Sequence, residues 1–319
     1  MANMRILAND GIHTAGKEML ENAGYEVVTD TIAQEDLPAQ LPEFDVILVR
    51  SATKVRKELI DACPNLKIIG RGGVGLDNID VDYAKDKDIA VFNTPAASSQ
   101  SVAELVFAHA IGAARFLQQS NRHMPLTGNS EFKALKKAYS AGVELRGKTI
   151  GIVGFGRIGQ AVGRIAVGLG MKVLAHDPYL DEATLRLDFE GSSDHIQVTV
   201  KTVSMRAVLE GSDIVTLHVP SQGRPVIGEK ELKCMKPGAI LINASRGGII
   251  HEEALIEALD NGVIAAAGLD VFANEPTPSE ALLSHPKISL SPHIGAATGQ
   301  AQANIGTELA GKIIQFFGK

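Results

Sequence analysis

The stretch GKTIGIVGFGRIGQAVGRIAVGLGMKVLAHD, Gly147 to Asp177, restricts the possible folds of this 319-residue chain more than any other part of it. Thr149 to Val153 is a short apolar, β-branched run, as expected of a buried strand. Gly154, Gly156 and Gly159 follow in G-x-G-x-x-G spacing. The amphipathic stretch from Ile158 to Leu169 predicts a helix, and Lys172 to Ala175 a second strand that leads to Asp177. Each glycine has a mechanical reason: Gly154 for a sharp turn, Gly156 for an approach without a Cβ, and Gly159 for close helix–strand packing. The helix start offers unpaired N–H groups and a positive dipole end to a pyrophosphate. An acid about 20 residues on can accept hydrogen bonds from both ribose hydroxyls. The arrangement predicts a dinucleotide site. NAD is favoured over NADP, because the Asp177 carboxylate repels a 2′-phosphate and Pro178-Tyr179 supplies no arginine to receive one.

At 319 residues the chain is long for a single core, so two domains are expected. An apolar fraction of 45% with 21% charged residues fits an ordinary soluble α/β protein. The net charge of −6 and the lack of a basic run argue against nucleic acid as a partner. Cys63 and Cys234 are too few and too far apart for a disulfide framework or a cysteine metal site, so no metal is expected. MANMRILAND enters a strand at once, and no apolar run reaches spanning length. The expectation is a cytoplasmic protein without signal peptide or membrane contact.

Strands are expected at Met4–Ala8, Tyr25–Thr29, Asp45–Val49, Lys67–Gly70 and Ala90–Asn93, with helices between them at Thr14–Ala23, Lys57–Cys63 and Val81–Lys87. Such alternation means a doubly wound parallel sheet, complete before the glycine turn begins. Ser101 and Glu104 form an S-x-x-E capping box that would start a helix of about 20 residues, SVAELVFAHAIGAARFLQQS. Arg122 to Val143 reads as an irregular arm packing on another subunit. Arg186 to Met205 reads as an inserted polar hairpin on the surface. Strands resume at Ile214–Val219, Ala239–Asn243, Ala265–Leu269 and Ile288–Leu290, and Ala296–Phe317 makes a last helix that can return to the first sheet. The expected architecture is therefore α/β with two doubly wound parallel-sheet domains. Residues 1–98 with 294–319 would form a discontinuous domain, and 99–293 the dinucleotide-binding one.

In open α/β sheets ligands bind beyond the carboxyl ends of the strands. The polar residues at those ends are Arg246, Asp270, Glu275 and His293 in the second unit. In the first they are Arg50, Ser51, Arg71 with Gly72, Gly73 and Gly75, and Asn93. All are expected along the edge where two domains face each other. Arg246, Glu275 and His293 suit hydride transfer. An alcohol oxidised by a nicotinamide must lose its hydroxyl proton, and histidine titrates closest to neutrality, so His293 is the expected general base. Glu275 would fix its tautomer. Arg246 can hold a carboxylate through two parallel hydrogen bonds. A 2-hydroxy acid needs all three.

With VGFGRIG (153–159), ASRGG (244–248), GLDVFANEP (268–276) and SPHIGAAT (291–298) in this order, the chain resembles the D-2-hydroxyacid dehydrogenase family from end to end. The resemblance implies a Rossmann cofactor domain and a flavodoxin-like substrate domain, NAD as cofactor, and Arg246, Glu275 and His293 as catalytic residues. It implies Arg157 and Ile158 on the pyrophosphate, Asp177 on the adenosine ribose and Asp270 on the nicotinamide carboxamide. Val219, Ala244 and Gly295 would line the cofactor, and Val74 would make an apolar contact with it. A homodimer through the cofactor domain is implied as well. VRSATKV (49–55), GRGGVGLDNID (70–80) and NTPAASSQSVAEL (93–105) resemble the branch that oxidises 3-phospho-D-glycerate, the first step of serine synthesis. In that reading Arg50, Ser51, Lys54 and Gly73 bind a phosphorylated 2-hydroxy acid, and control through the carboxy-terminal domain of longer members is not expected.

Two other readings share these residues. A glyoxylate or hydroxypyruvate reductase would keep every catalytic group and differ in the pocket near Arg50 to Lys54. An NAD-sensing binding protein of the corepressor type would show negligible turnover and a protein partner.

Overall fold

Short β-branched runs separated by helices can pair in parallel only through crossover connections. A computed structural model describing residues 4–318 shows two sheets built in this way. The chain divides into two compact units, one from residues up to Ser99 together with those from Ala296 onward, the other Gln100–Gly295.

The first unit runs β1 (Arg5–Ala8), α1 (Thr14–Asn22), β2 (Glu26–Val28), α2 (Leu37–Gln40), β3 (Val46–Val49), α3 (Lys57–Ala62), β4 (Ile68–Arg71), α4 (Val81–Asp86) and β5 (Ala90–Asn93). Its five strands are all parallel in the order β2-β1-β3-β4-β5, the flavodoxin-like arrangement. The strands are apolar at consecutive positions because both faces are covered. Ile6, Val46, Leu48 and Ile68 pack into one core, Leu7, Ile47, Val49 and Ile69 into the other.

The second unit opens with α5 (Ser99–Ala114), α6 (Leu117–Thr127) and α7 (Phe132–Ala138). There follow β6 (Thr149–Val153), α8 (Arg157–Gly168), β7 (Lys172–His176), β8 (Glu182–Asp188), β9 (His195–Lys201) and α9 (Met205–Gly211). It closes with β10 (Ile214–Leu217), α10 (Glu229–Cys234), β11 (Ile240–Asn243), α11 (Glu252–Asp260), β12 (Ala266–Leu269), α12 (Glu280–Ser284) and β13 (Ile288–Leu290). Six strands pair in parallel in the order β13-β12-β11-β10-β6-β7. A single parallel bridge from Thr202 to Ala175 of β7 stands where a seventh, outermost strand would begin. With it the order is that of a dinucleotide-binding sheet, and the order reverses between β6 and β10.

Four expectations need correction. Helix α5 begins at Ser99, not Ser101, so Ser101 lies inside the helix and not at its cap; the Glu104 carboxylate accepts from the Gln100 side chain. The anticipated 20-residue helix is interrupted at Phe116, whose φ of 54° is left-handed. The irregular arm is largely helical, as α6 with Pro125 inside it and α7. The hairpin β8–β9 begins at Glu182 and is more than surface decoration. Leu185 and Val200 are buried, and Gly163 of α8 leaves room for Leu185, since a Cβ there would lie 2.8 Å from Leu185 Cδ1. Helix α2 and the 3₁₀ turn Leu41–Glu43 lack a readable period and were not anticipated.

The last helix, α13 (Gly299–Phe316), joins the first unit by crossing α1 at two glycines. A Cβ on Gly16 would lie 2.5 Å from the backbone carbonyl carbon and oxygen of Gly306. Backbone cannot yield as a side chain can, so Gly16→Ala should cost about 1–3 kcal/mol despite alanine's better helix propensity. A thermal melt of the variant checks this; an unchanged midpoint would mean that the crossing tolerates separation.

Candidate active site

The glycine turn is built as its spacing requires. Gly154 follows β6 with φ +92°, and a Cβ on it would overlap the carbonyl oxygen of His218 just beyond the neighbouring strand β10. A Cβ on Gly159 would overlap the Gly154 carbonyl oxygen, so helix α8 can approach the turn only without a side chain there. Gly156 is different. It is exposed with an ordinary φ of −72°, and nothing lies within 4 Å of where its Cβ would stand. Its bareness serves no packing in the protein, so the open space suits a ligand at the start of α8. Arg157 is exposed and Ile158 half-buried on the first turn of that helix.

Asp177 sits one residue beyond β7 and faces back to the same turn. Its Oδ2 accepts from the Phe155 amide at 2.8 Å and its Oδ1 from the Tyr179 amide at 2.9 Å. A carboxylate has about four lone-pair sites, so acceptor capacity remains for a ribose. Open space at Gly156, a helix start and an acid at the turn form one constellation, and it fits a dinucleotide.

Arg246, Asp270 and His293 follow β11, β12 and β13, three strands adjacent in the sheet. Half-buried Arg246 directs Nη1 to the Ser245 carbonyl at 2.6 Å, and its own carbonyl accepts from the Asn243 side chain. His293 Nδ1 lies 2.8 Å from Glu275 Oε2, and both side chains are solvent-accessible. Glu275 Oε1 in turn accepts from the Phe272 amide at 3.0 Å, which fixes the carboxylate beside the ring. With Nδ1–H donated to Glu275, the other ring nitrogen, Nε2, is left to exchange a proton. An open apolar cavity of about 410 Å³ adjoins the pair, lined by Phe272, Pro276, Leu283 and Leu290.

Asp270 is buried at 1% exposure and bound to the loop that carries His293. Oδ1 accepts from Ser291 Oγ at 2.6 Å and the Ile294 amide at 2.8 Å, Oδ2 from the Gly295 amide at 2.9 Å. The Asp270 carbonyl accepts from the His293 amide at 2.8 Å. His293 is left-handed with φ 55°, a conformation that costs a non-glycine residue about 1–2 kcal/mol. These four hydrogen bonds hold it there. Ala244 and Gly295 are buried close by in sequence to Arg246 and His293, and Val219 is half-buried past β10. His218, between Val219 and the end of β10, is not a second proton carrier at neutral pH. Burial pushes its pKa down to about 3, and Nε2 lies 3.0 Å from Thr216 Oγ1.

In the first unit the candidate substrate residues lie at the ends of β3 and β4. Arg50 is half-buried and lines a cavity of about 310 Å³ with Asp10, His13, Gly72 and Gln302. Ser51 and Lys54 are exposed on the same loop. Gly73 has φ +142°, and the Arg71 guanidinium fills the place its Cβ would take. The Val74 carbonyl accepts from the Asn93 side chain at 2.7 Å. Sequence reasoning missed Asp10, although it too follows a strand. Its carboxylate accepts from the Arg50 amide at 2.6 Å, the Thr53 amide at 3.1 Å and Thr53 Oγ1 at 2.5 Å. Asn78 closes the loop from the other side by donating to the Arg50 and Thr53 carbonyls.

Among the described residues no cluster of three or more His, Cys, Asp or Glu could hold a metal ion, and no helix is long and apolar enough to cross a membrane.

Comparison with known proteins fits this geometry. Residues 107–295 match the family described as D-isomer specific 2-hydroxyacid dehydrogenase, NAD binding domain. The chain belongs to that family. It is 41% identical over 324 residues to a hydroxypyruvate reductase of Thermotoga maritima, covering all of both chains. It is 39% identical over 315 residues to a D-3-phosphoglycerate dehydrogenase of Archaeoglobus fulgidus, covering 98% of this chain but 57% of that one. It thus spans little more than half the length of that relative. Its fold matches the NAD⁺-bound 3-phosphoglycerate dehydrogenase of Entamoeba histolytica with a TM-score of 0.77 at 29% identity, covering 99% and 96% of the two chains. The protein is an NAD-dependent oxidoreductase acting on the CH–OH group of 2-hydroxy acids.

Gly156 and Gly159 should separate experimentally. Gly156→Ala should leave the fold intact and weaken NAD by roughly ten- to a hundredfold, the worth of one charge-assisted hydrogen bond. Gly159→Ala should lose about 1–3 kcal/mol of stability through its overlap with backbone. Calorimetric NAD titration beside a thermal melt reads both, and equal losses in both variants would refute the division of labour.

Proposed function

We propose that the protein oxidises 3-phospho-D-glycerate to 3-phosphohydroxypyruvate with NAD, the first step of L-serine formation. Bound nicotinamide supplies the hydride acceptor. Arg157 and Ile158 hold the pyrophosphate and Asp177 the adenosine ribose, Asp270 faces the carboxamide, and Val219, Ala244, Gly295 and Val74 line the cofactor. Arg246 holds the substrate carboxylate through its planar fork. His293 takes the hydroxyl proton at Nε2, while Glu275, 2.8 Å from Nδ1, fixes the tautomer and stabilises the imidazolium that results. The observation that carries the acid–base assignment is this exposed Glu275–His293 pair on a clamped loop.

The substrate assignment rests on fixed charge. Arg50 and Lys54 follow β3 and Arg71 ends the neighbouring strand β4, so three cationic side chains stand at adjacent strand ends. A phosphorylated acid carries more negative charge than its parent and calls for fixed cations, with Ser51 and the Gly73 backbone completing the set. Resemblance to phosphoglycerate dehydrogenases at 37–39% identity supports it. A second reading, reduction of hydroxypyruvate or glyoxylate, is favoured by the Thermotoga maritima relative, whose length matches throughout. It is favoured too by Asp10, which already occupies the Arg50 and Thr53 amides that a phosphate would otherwise use.

The subunits are proposed to pair through the second unit. Leu117, Met124, Leu126 and Phe132 on α6 and α7 are exposed at 53%, 42%, 77% and 57%, and exposed apolar side chains grouped on neighbouring helices suit an interface. Sedimentation velocity should give a dimer, and Leu126→Asp with Phe132→Asp should shift it to monomer; a monomeric parent protein would remove the pairing.

Turnover of 3-phosphoglycerate, D-glycerate and glycolate with NAD and with NADP decides the substrate. The phosphorylated acid with NAD should be preferred by at least tenfold in kcat/KM, and preference for D-glycerate would establish the second reading. His293→Ala should lower kcat by about 10²–10⁴ while NAD still binds.

A further inference from the structure

Helix α5 carries a histidine that the reaction described above does not use. His109, in its third turn, is buried at 5% exposure. Its Nδ1 lies 2.8 Å from Ser289 Oγ and its Nε2 2.9 Å from Ser291 Oγ. Those serines flank Leu290 at the end of β13, immediately before the loop of His293. Gly268 of β12 makes room for the ring: a Cβ there would lie 2.6 Å from His109 Cβ and 2.9 Å from His109 Cγ.

The donors and acceptors permit one arrangement. Ser291 has a single hydroxyl proton, directed to Asp270 Oδ1 at 2.6 Å. A carboxylate can only accept, so Ser291 Oγ must accept from His109. Nε2 therefore carries the ring proton. The imidazole is neutral, burial holding its pKa below the ordinary histidine value against the opposing pull of Asp270, so Nδ1 accepts from Ser289. The polar line runs from Ser289 through His109 and Ser291 to Asp270, and from Asp270 to the amides of Ile294 and Gly295.

We propose that His109 is a positioning residue for the catalytic loop: its Nε2–H orients Ser291, Ser291 orients the Asp270 carboxylate, and that carboxylate holds His293 in its left-handed conformation. The inference rests on the reading of His293 as the proton acceptor. Hydrogen bonds in such a line polarise one another, and a buried carboxylate that loses an oriented donor must find another or shift. Either movement reaches His293 through the two amides that follow it.

The test uses the full chain with NAD and 3-phosphoglycerate or D-glycerate, whichever turns over faster. His109→Leu fills the same space without a donor, so the thermal midpoint should hold while kcat falls roughly five- to twentyfold. His109→Gln, whose amide N–H can reach the place of Nε2–H, should return kcat to within about threefold of the parent. His109→Leu combined with Ser291→Ala should be no slower than Ser291→Ala alone, because the first acts only through the second. Parent-like turnover in His109→Leu, no recovery in His109→Gln, or additive losses in the double variant would each overturn the proposal. A parallel His293→Ala variant separates the positioning role of His109 from the base role of His293. If it lowers kcat by about 10²–10⁴ while His109→Leu turns over at the parent rate, the positioning line is wrong and the base stands; if it turns over normally, the base itself is wrong.

Discussion

The carboxylate of Asp270 is an ion nearly sealed from water, and such a charge is tolerable only when donors surround it. Here the donors are one serine hydroxyl and two successive amides, and the amides belong to the loop that presents His293. The need to satisfy a buried charge is thereby converted into the fixed shape of the loop proposed to carry the base. Left-handed backbone at a histidine would relax in a free peptide. Beside Asp270 it cannot relax without stripping that carboxylate of its partners.

The same device recurs at the carboxyl ends of both sheets. Asp10, after β1, takes the amides of Arg50 and Thr53 beyond the neighbouring strand β3. Asp177, after β7, takes the Phe155 amide in the turn beyond its neighbour β6. Asp270, after β12, takes two amides beyond its neighbour β13. Parallel strands end side by side, so an acid one or two residues past one strand lies within reach of the unpaired amides of the next loop. Three loops that carry candidate site residues are each tied to the sheet in this way, which lets a conformationally free segment hold side chains to a fixed geometry.

Much of the fold could be read from the chain. β-branched runs bounded by glycines and polar residues located all the strands of the two main sheets to within a residue or two, and Ala90–Asn93, Thr149–Val153 and Ile288–Leu290 at their observed limits. The Glu275–His293 contact followed from chemistry, since both residues trail strand ends and hydride transfer needs them together. The helical region failed where local signals mislead. Ser101-x-x-Glu104 has the letters of a capping box, yet the helix had already begun at Ser99. Phe116 gives no sign in sequence that it turns left-handed. Leu185 reads as one apolar residue in a polar hairpin, and only the bare Gly163 across from it shows why it is buried. Asp10 and His109 were passed over for opposite reasons. Asp10 obeys the strand-end rule, two residues past β1, whereas His109 lies mid-helix, where an imidazole has no visible partner until β13 is laid beside it.

Gly268 looks at first like a small residue in a strand of small residues, AAAGL. Its missing methyl is the space in which the His109 ring stands, and Ile242 closes the other side at 2.8 Å from that point. The two positions are therefore not free to drift separately. A lineage could gain a side chain at 268 only after giving up the ring at 109, and could regain the ring only by losing that side chain first, so the order of changes in this corner of the core is dictated by volume.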